Sequence, residues 1–218
     1  SSSKDCYAVT KTQMNTVREA IERYTMANDR FPMPARRNIG IESPEYGREA
    51  ALADLDTVGG EVVFGAIPFQ LLGLPLESAS DCWGNKFTYV VTKDLTNSTL
   101  FLVASTPGKI DVKTNNSMMF LQGAGYAIIS HGADQLGAVK SNYSSGATND
   151  LASRKWCTAS PTQLRTQNCD VDNNVLISTA FNDGKDGADN FFDDLIIYRG
   201  KPWKNTPATT SDCECPAG

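Results

Sequence analysis

The segment DCYAVTKTQMNTVREAIERYTMAN, residues 5–28, decides how the rest of the chain is read. Its apolar residues Met14, Val17, Ile21 and Tyr24 recur three or four apart, and Arg18, Glu19, Glu22 and Arg23 fall on the other side. That spacing is helical, with a single apolar stripe. Twenty-odd helical residues span roughly 35 Å, so the stripe needs a broad surface to cover it. Asn28-Asp29 followed by Pro32 and Pro34 ends the helix, because proline excludes helical geometry at and before its own position.

Downstream, the period changes. Residues 49–55 suggest a short helix, and 65–74 form an apolar segment too broken by Gly65, Pro68 and Gly73 for a regular strand. Two β-branched and aromatic runs, 87–92 and 99–104, flank the turn-forming residues 93–98 and predict a hairpin. Residues 125–130, 175–180 and 195–199 predict three further strands. Every link between these strands reads as loop, so the expected fold is α+β: a long N-terminal helix packed on an antiparallel sheet of about four to five strands. One domain is expected over 1–218, with the helix in 1–30, a connecting loop and sheet in 31–199, and an irregular cysteine-containing tail in 200–218.

Composition narrows the function classes. With 20 Lys and Arg against 25 Asp and Glu, and no basic cluster, the chain lacks the electrostatic footprint of a nucleic-acid binder. No stretch approaches a membrane-spanning run. Six cysteines, Cys6, Cys82, Cys157, Cys169, Cys213 and Cys215, form no Cys-x-x-Cys, and His131 is the only histidine, so a zinc site is poorly supplied. An even count without metal spacing points to disulfides and an oxidising compartment, six buried thiols being the alternative. Cys157 and Cys169 bracket a short polar loop and are expected to pair. Cys213 and Cys215 are too close to pair with each other, so they are expected to reach Cys6 and Cys82, in either order. Ser1-Ser2-Ser3-Lys4 reads as a trimmed or processed edge.

The acidic loops are the candidates for chemistry. NDGKDGADNFFDD, residues 182–194, sets five carboxylates among glycines, which suits calcium's demand for six to eight oxygens on a flexible loop. Asp183, Asp186 and Asp189 are the expected ligands. The EF-hand spacing is not met, since Lys185 stands where a ligand belongs; the alternative is a solvated turn with Asx-turns. His131 could serve a nucleophile, but no Gly-x-Ser-x-Gly elbow is present, and the expectation is a loop or cap histidine. Trp83 is expected to pack beneath a sheet edge, Trp156 to shield a disulfide, and Trp203 to face a partner.

Four segments, taken in order, resemble the type IV pilin and type II secretion pseudopilin superfamily. AIERYTMANDRFPMPA (20–35) resembles the close of that family's long N-terminal helix, and IPFQLLGLP (67–75) the segment preceding its sheet. DCWGNKFTY (81–89) is similar to Asp-Pro-Trp-Gly-Asn-x-Tyr-x-Tyr, with Cys82 in place of proline. SHGAD (130–134) is similar to Ser-Leu-Gly-x-Asp, with His131 in place of leucine.

The resemblance implies a filament subunit and not an enzyme, self-associating with other pilins and handled by inner-membrane assembly machinery. It would be anchored through an upstream apolar helix half and located in the periplasm or outside the cell. It also implies a calcium loop, with Asp134 matching the family's first aspartate and Asp150 the later one, although Gln135 replaces the glycine between them. Two other classes stay open: a tip or minor pilin acting as an adhesin through 134–174 and the tail, and a secreted metal-dependent hydrolase using the aspartate cluster.

Overall fold

A computed structural model describes residues 3–114, 118–143, 168, 173–185, 187 and 192–201. Two helices, α1 (Ser3–Asn28) and α2 (Ser98–Leu102), accompany eight strands among these residues: β1 (Asp56–Val58), β2 (Val62–Ala66), β3 (Thr88–Thr92), β4 (Ile110–Lys113), β5 (Met119–Ala124), β6 (Tyr126–Ser130), β7 (Val175–Ile177) and β8 (Leu195–Arg199). A five-stranded sheet runs β1-β2-β3-β6-β8, with every neighbouring pair antiparallel. This is the expected helix-and-antiparallel-sheet architecture.

α1 forms where the period demands and stops where the prolines require. Asp29 takes a left-handed conformation (φ 55°) while its N–H still reaches Thr25 O at 2.9 Å, so the chain leaves the helix in one residue. Met14, Val17 and Ile21 are buried in one cluster with Val63, Tyr89, Val91, Tyr126, Ile128 and Ile197 from the sheet. Tyr24, expected on that stripe, is only half-buried: its hydroxyl accepts from Arg30, whose guanidinium also binds Glu49 at 2.6 Å. Ala20 and the buried Thr25 take the inward places beside it.

The sheet is covered on its other face as well. A second sheet, ordered β5-β4-β7, packs Ile110, Val112, Ala124 and Leu176 against Val62, Phe64, Val90, Ala127, Ile129, Ile196 and Tyr198. With both faces covered, every residue of β2, β3 and β6 is buried, and these strands read as continuous apolar runs instead of alternating. The expectation of antiparallel pairing throughout does not hold in this second sheet, where β4 and β7 run parallel.

Other expectations are corrected. The hairpin of 87–92 with 99–104 does not form. Asn97 accepts from Leu100 N through its side chain and so caps α2 at the proposed second strand, while β3 pairs with β2 and β6. Residues 49–55 yield only the 3-10 turn Leu52–Asp54. The segment from 65 contributes Gly65 and Ala66 to β2, because at Gly65 a side chain would strike Pro34 and the carbonyl of Ala35 crossing over the strand. The strand expected over 175–180 stops at Ile177 and belongs to the second sheet.

Truncating Ile21, which is 0% exposed, to alanine should cost about 2–5 kcal/mol of unfolding free energy in a urea titration. Met26→Ala, at a position 49% exposed, should cost under about 0.5 kcal/mol. Similar costs at the two positions would refute the assignment of faces.

Candidate functional site

The loop after β6 and the start of β8 meet beneath the first turns of α1. Gly132 makes that meeting possible: it sits at φ 68°, and a Cβ there would collide with the backbone oxygen and carboxyl of Asp193. The loop therefore lies directly on Asp193. Asp193 Oδ2 accepts from Asp134 N at 2.8 Å, and Asp134 Oδ1 accepts from Leu136 N at 2.9 Å. Asp194 Oδ2 accepts from Asn168 Nδ2 at 2.9 Å, and the Tyr7 hydroxyl of α1 donates to Asp193 O at 3.3 Å. Asp134 and Asp193 thus meet near the Tyr7 hydroxyl, with Asp194 held beside them by Asn168.

Burial governs their ionisation. Asp193 is 2% exposed; burial first, and then the neighbouring Asp134 charge, pushes its carboxyl up to about 7. Asp194 is raised well above the ordinary carboxylate range, by burial first and then by Asp193. Burial and the same carboxylates raise the Tyr7 phenol. The Asp193 carboxyl therefore keeps its proton to higher pH than a free carboxyl does.

Of the two expected calcium ligands among the described residues, Asp134 enters this cluster. Asp183 stays apart and exposed: it accepts from Lys185 N at 3.1 Å and pairs with the Lys185 ammonium at 3.0 Å, an Asx-turn closed by its own lysine. Asp150, Asp186 and Asp189 lie outside the described residues, as do Cys157, Cys169, Trp156 and Trp203. Among the described residues no three His, Cys, Asp or Glu side chains converge as a cation site, so Asp134 and Asp193 supply only part of calcium's six to eight oxygens.

The second group is covalent. Asp81 organises the turn of residues 81–85: its Oδ1 accepts from Trp83 N and Asn85 N, each at 3.0 Å, and its Oδ2 accepts from Ser130 Oγ at 2.8 Å. Gly84 at φ 81° closes the turn. The turn lifts Cys82 against α1, where it is bonded to Cys6 with a Cα–Cα distance of 5.2 Å. This corrects the expectation that Cys6 and Cys82 pair with Cys213 and Cys215. Cys6 lies on the inward line of α1 with Thr10 and Met14, where it meets the turn that carries Cys82. Thr10 Oγ1 accepts from Cys82 N at 3.1 Å, and the Trp83 ring meets Tyr7 edge-on at 4.9 Å.

His131 is an interior residue, 1% exposed, and not a surface cap. Its Nε2 lies 2.7 Å from Thr88 Oγ1, which also accepts from Arg37 at 3.4 Å. Burial and the Arg37 charge push the imidazole down to about 3, so it stays neutral. Thr88 is equally buried, which leaves this pair no surface for a substrate. Sequence reasoning missed Lys86, whose ammonium donates to Arg37 O and Ile39 O, both at 2.8 Å, beneath the Tyr46 ring. Burial lowers it to about 8, and it pins the connecting loop to the sheet. Its sole sequence signal was a lysine inside the resembling run 81–89.

Asp193 and Asp194 carry raised native values, so the folded chain keeps protons that the unfolded chain has already lost. Unfolding free energy is therefore expected to fall as pH rises from about 4 to about 7 through the Asp193 carboxyl, and Asp194, shifted in the same direction, adds to the fall. Asp193→Asn should flatten part of that fall in urea titrations at fixed pH, with Asp194 supplying the remainder. An unchanged slope in the variant would contradict the raised Asp193 carboxyl.

Comparison of the chain with family models, with curated proteins and with solved structures finds no match.

Proposed function

We propose that this chain is a structural subunit of a type IV pilus-like or pseudopilus filament, working by assembly and not by turnover. The observation that carries the proposal is α1 itself. It is a 26-residue N-terminal helix that buries Met14, Val17 and Ile21 on an antiparallel sheet while Val9, Glu19, Arg23 and Met26 stay exposed along its outer side. A helix half-covered in this way can serve its own domain and a neighbouring helix at once.

The resembling segments support the reading by the structural work they do. Residues 20–35 close α1, residues 81–89 form the Asp81 turn and run into β3, and residues 130–134 end β6 at the left-handed Gly132. Asp81 and Lys86 are buried and hold the 81–85 turn and the connecting loop in place, which suits a mechanical role. The Cys6–Cys82 disulfide suits an oxidising location, periplasmic or extracellular. No helix among the described residues is long and apolar enough to cross a membrane. The proposal does not depend on calcium.

The test uses the chain in its source cells, with a photo-crosslinking residue placed at Val9, at Met26, or at the exposed Thr57 on β1. Recovery of the chain in filaments sheared from the cell, with crosslinks to other filament subunits from Val9 and Met26 and none from Thr57, is the expected result. Absence from sheared filaments, or crosslinks from Thr57 alone, would overturn the proposal.

A further inference from the structure

The inward line of α1 changes character along its length. From Met14 onward it is apolar and belongs to the main core, whereas none of residues 5–13 belongs to that cluster. Their inward positions are Cys6 and Thr10 instead. Residues 3–13, about three turns, are held by one covalent bond and a few polar or ring contacts. The contacts include Thr10 with Cys82 N, Tyr7 with Asp193 O and with the Trp83 and Phe181 rings, and Gln13 Nε2 with Glu77 O at 3.4 Å. Val9 is 48% exposed, and Asp5, Ala8 and Thr12 also face solvent. A helix end with so little apolar cover frays readily, since its backbone hydrogen bonds are more open to water than those over the core.

We infer that the Cys6–Cys82 disulfide is a redox-operated latch: oxidised, it holds residues 3–13 of α1 on the domain, and reduced, it releases them while the sheet and the rest of α1 stay folded. The geometry also sets the order of events. Cys82 is exposed at the tip of the Asp81 turn, and Cys6 is buried at 6%. A thiolate of a dithiol reductant attacks Cys82 Sγ, the S–S bond breaks, and Cys6 leaves as a thiolate that takes up a proton. The second thiol of the reductant then attacks the mixed disulfide and expels Cys82, which is protonated in turn. The protein gains two electrons and two protons, and the reductant departs as its own disulfide. The bond closes a separation of 76 residues between the helix start and the 81–85 turn, so its loss removes the only covalent tie between these two elements. The inference stands whether or not the chain assembles into filaments.

Hydrogen exchange read by mass spectrometry tests it on the full chain, oxidised and after treatment with a dithiol reductant. The Cys6→Ser, Cys82→Ser double variant separates this bond from the other cysteines. Exchange of peptides within residues 3–13 is expected to speed up at least tenfold in the reduced chain and in the variant, with peptides of β2, β3 and β6 unchanged. Reoxidation of the reduced wild-type chain should restore protection. No change within 3–13 would overturn the latch, and so would equal acceleration in the strands, which would make the bond a staple of the whole domain. A variant that does not fold would support that second, contrary outcome.

Discussion

The fold depends on how the five-stranded sheet is covered. Met14, Val17 and Ile21 close one face, and Ile110, Val112, Ala124 and Leu176 close the other. β2, β3 and β6 pair with a strand on each side and are buried along their whole length, so they tolerate no polar exposure. Remove α1 and an entire apolar face meets water. At roughly 25 cal/mol per Å² of apolar surface, that loss is large beside the marginal stability of a domain. The helix is therefore part of the fold's structure and no mere appendage.

That constraint explains where the polar groups sit. Apolar cover extends along α1 only as far as Met14, so the turns before it rely on other chemistry. The Asp81 turn, the Cys6–Cys82 bond, Tyr7 and the carboxyls around Asp193 all lie at this one end of the helix. Asp81 links them: one oxygen shapes the turn that carries Cys82, and the other ties that turn to Ser130 at the end of β6. The loop that follows Ser130 brings Asp134 to Asp193. Covalent, carboxyl and aromatic contacts here replace the hydrophobic packing that the rest of α1 enjoys.

What could be read from the sequence follows from the same physics. α1 was legible because a helix with one covered face must repeat its apolar residues at three and four, and β3, β6 and β8 because doubly covered strands are apolar runs. β2 was obscured by Gly65, which is there to let residues 34–35 cross and not to break a strand. α2 was misread because Thr99-Leu100-Phe101-Leu102 has strand-like composition, and the decisive signal, Asn97 as a cap, is a single side chain. The second sheet was invisible: its parallel pair joins Asp111 to Val175, a contact no local pattern reveals, and irregular register interrupts β4 against β5. Asp134 could be singled out, but its partner Asp193, 59 residues away, looked like part of the Asp183 loop. The pairing of Asn182 with Phe192 closes that loop and turns Asp193 inward instead.

Native-state hydrogen exchange across α1 residues 14–25, compared with β3 and β6, tests the dependence of the sheet on the helix most directly. The account predicts that these helical amides exchange only through the same global opening that exposes β3 and β6, with equal opening free energies and equal sensitivity to denaturant. Exchange of residues 14–25 through a separate opening several kcal/mol lower, with the strands still protected, would contradict it and show that the sheet stands without its helix.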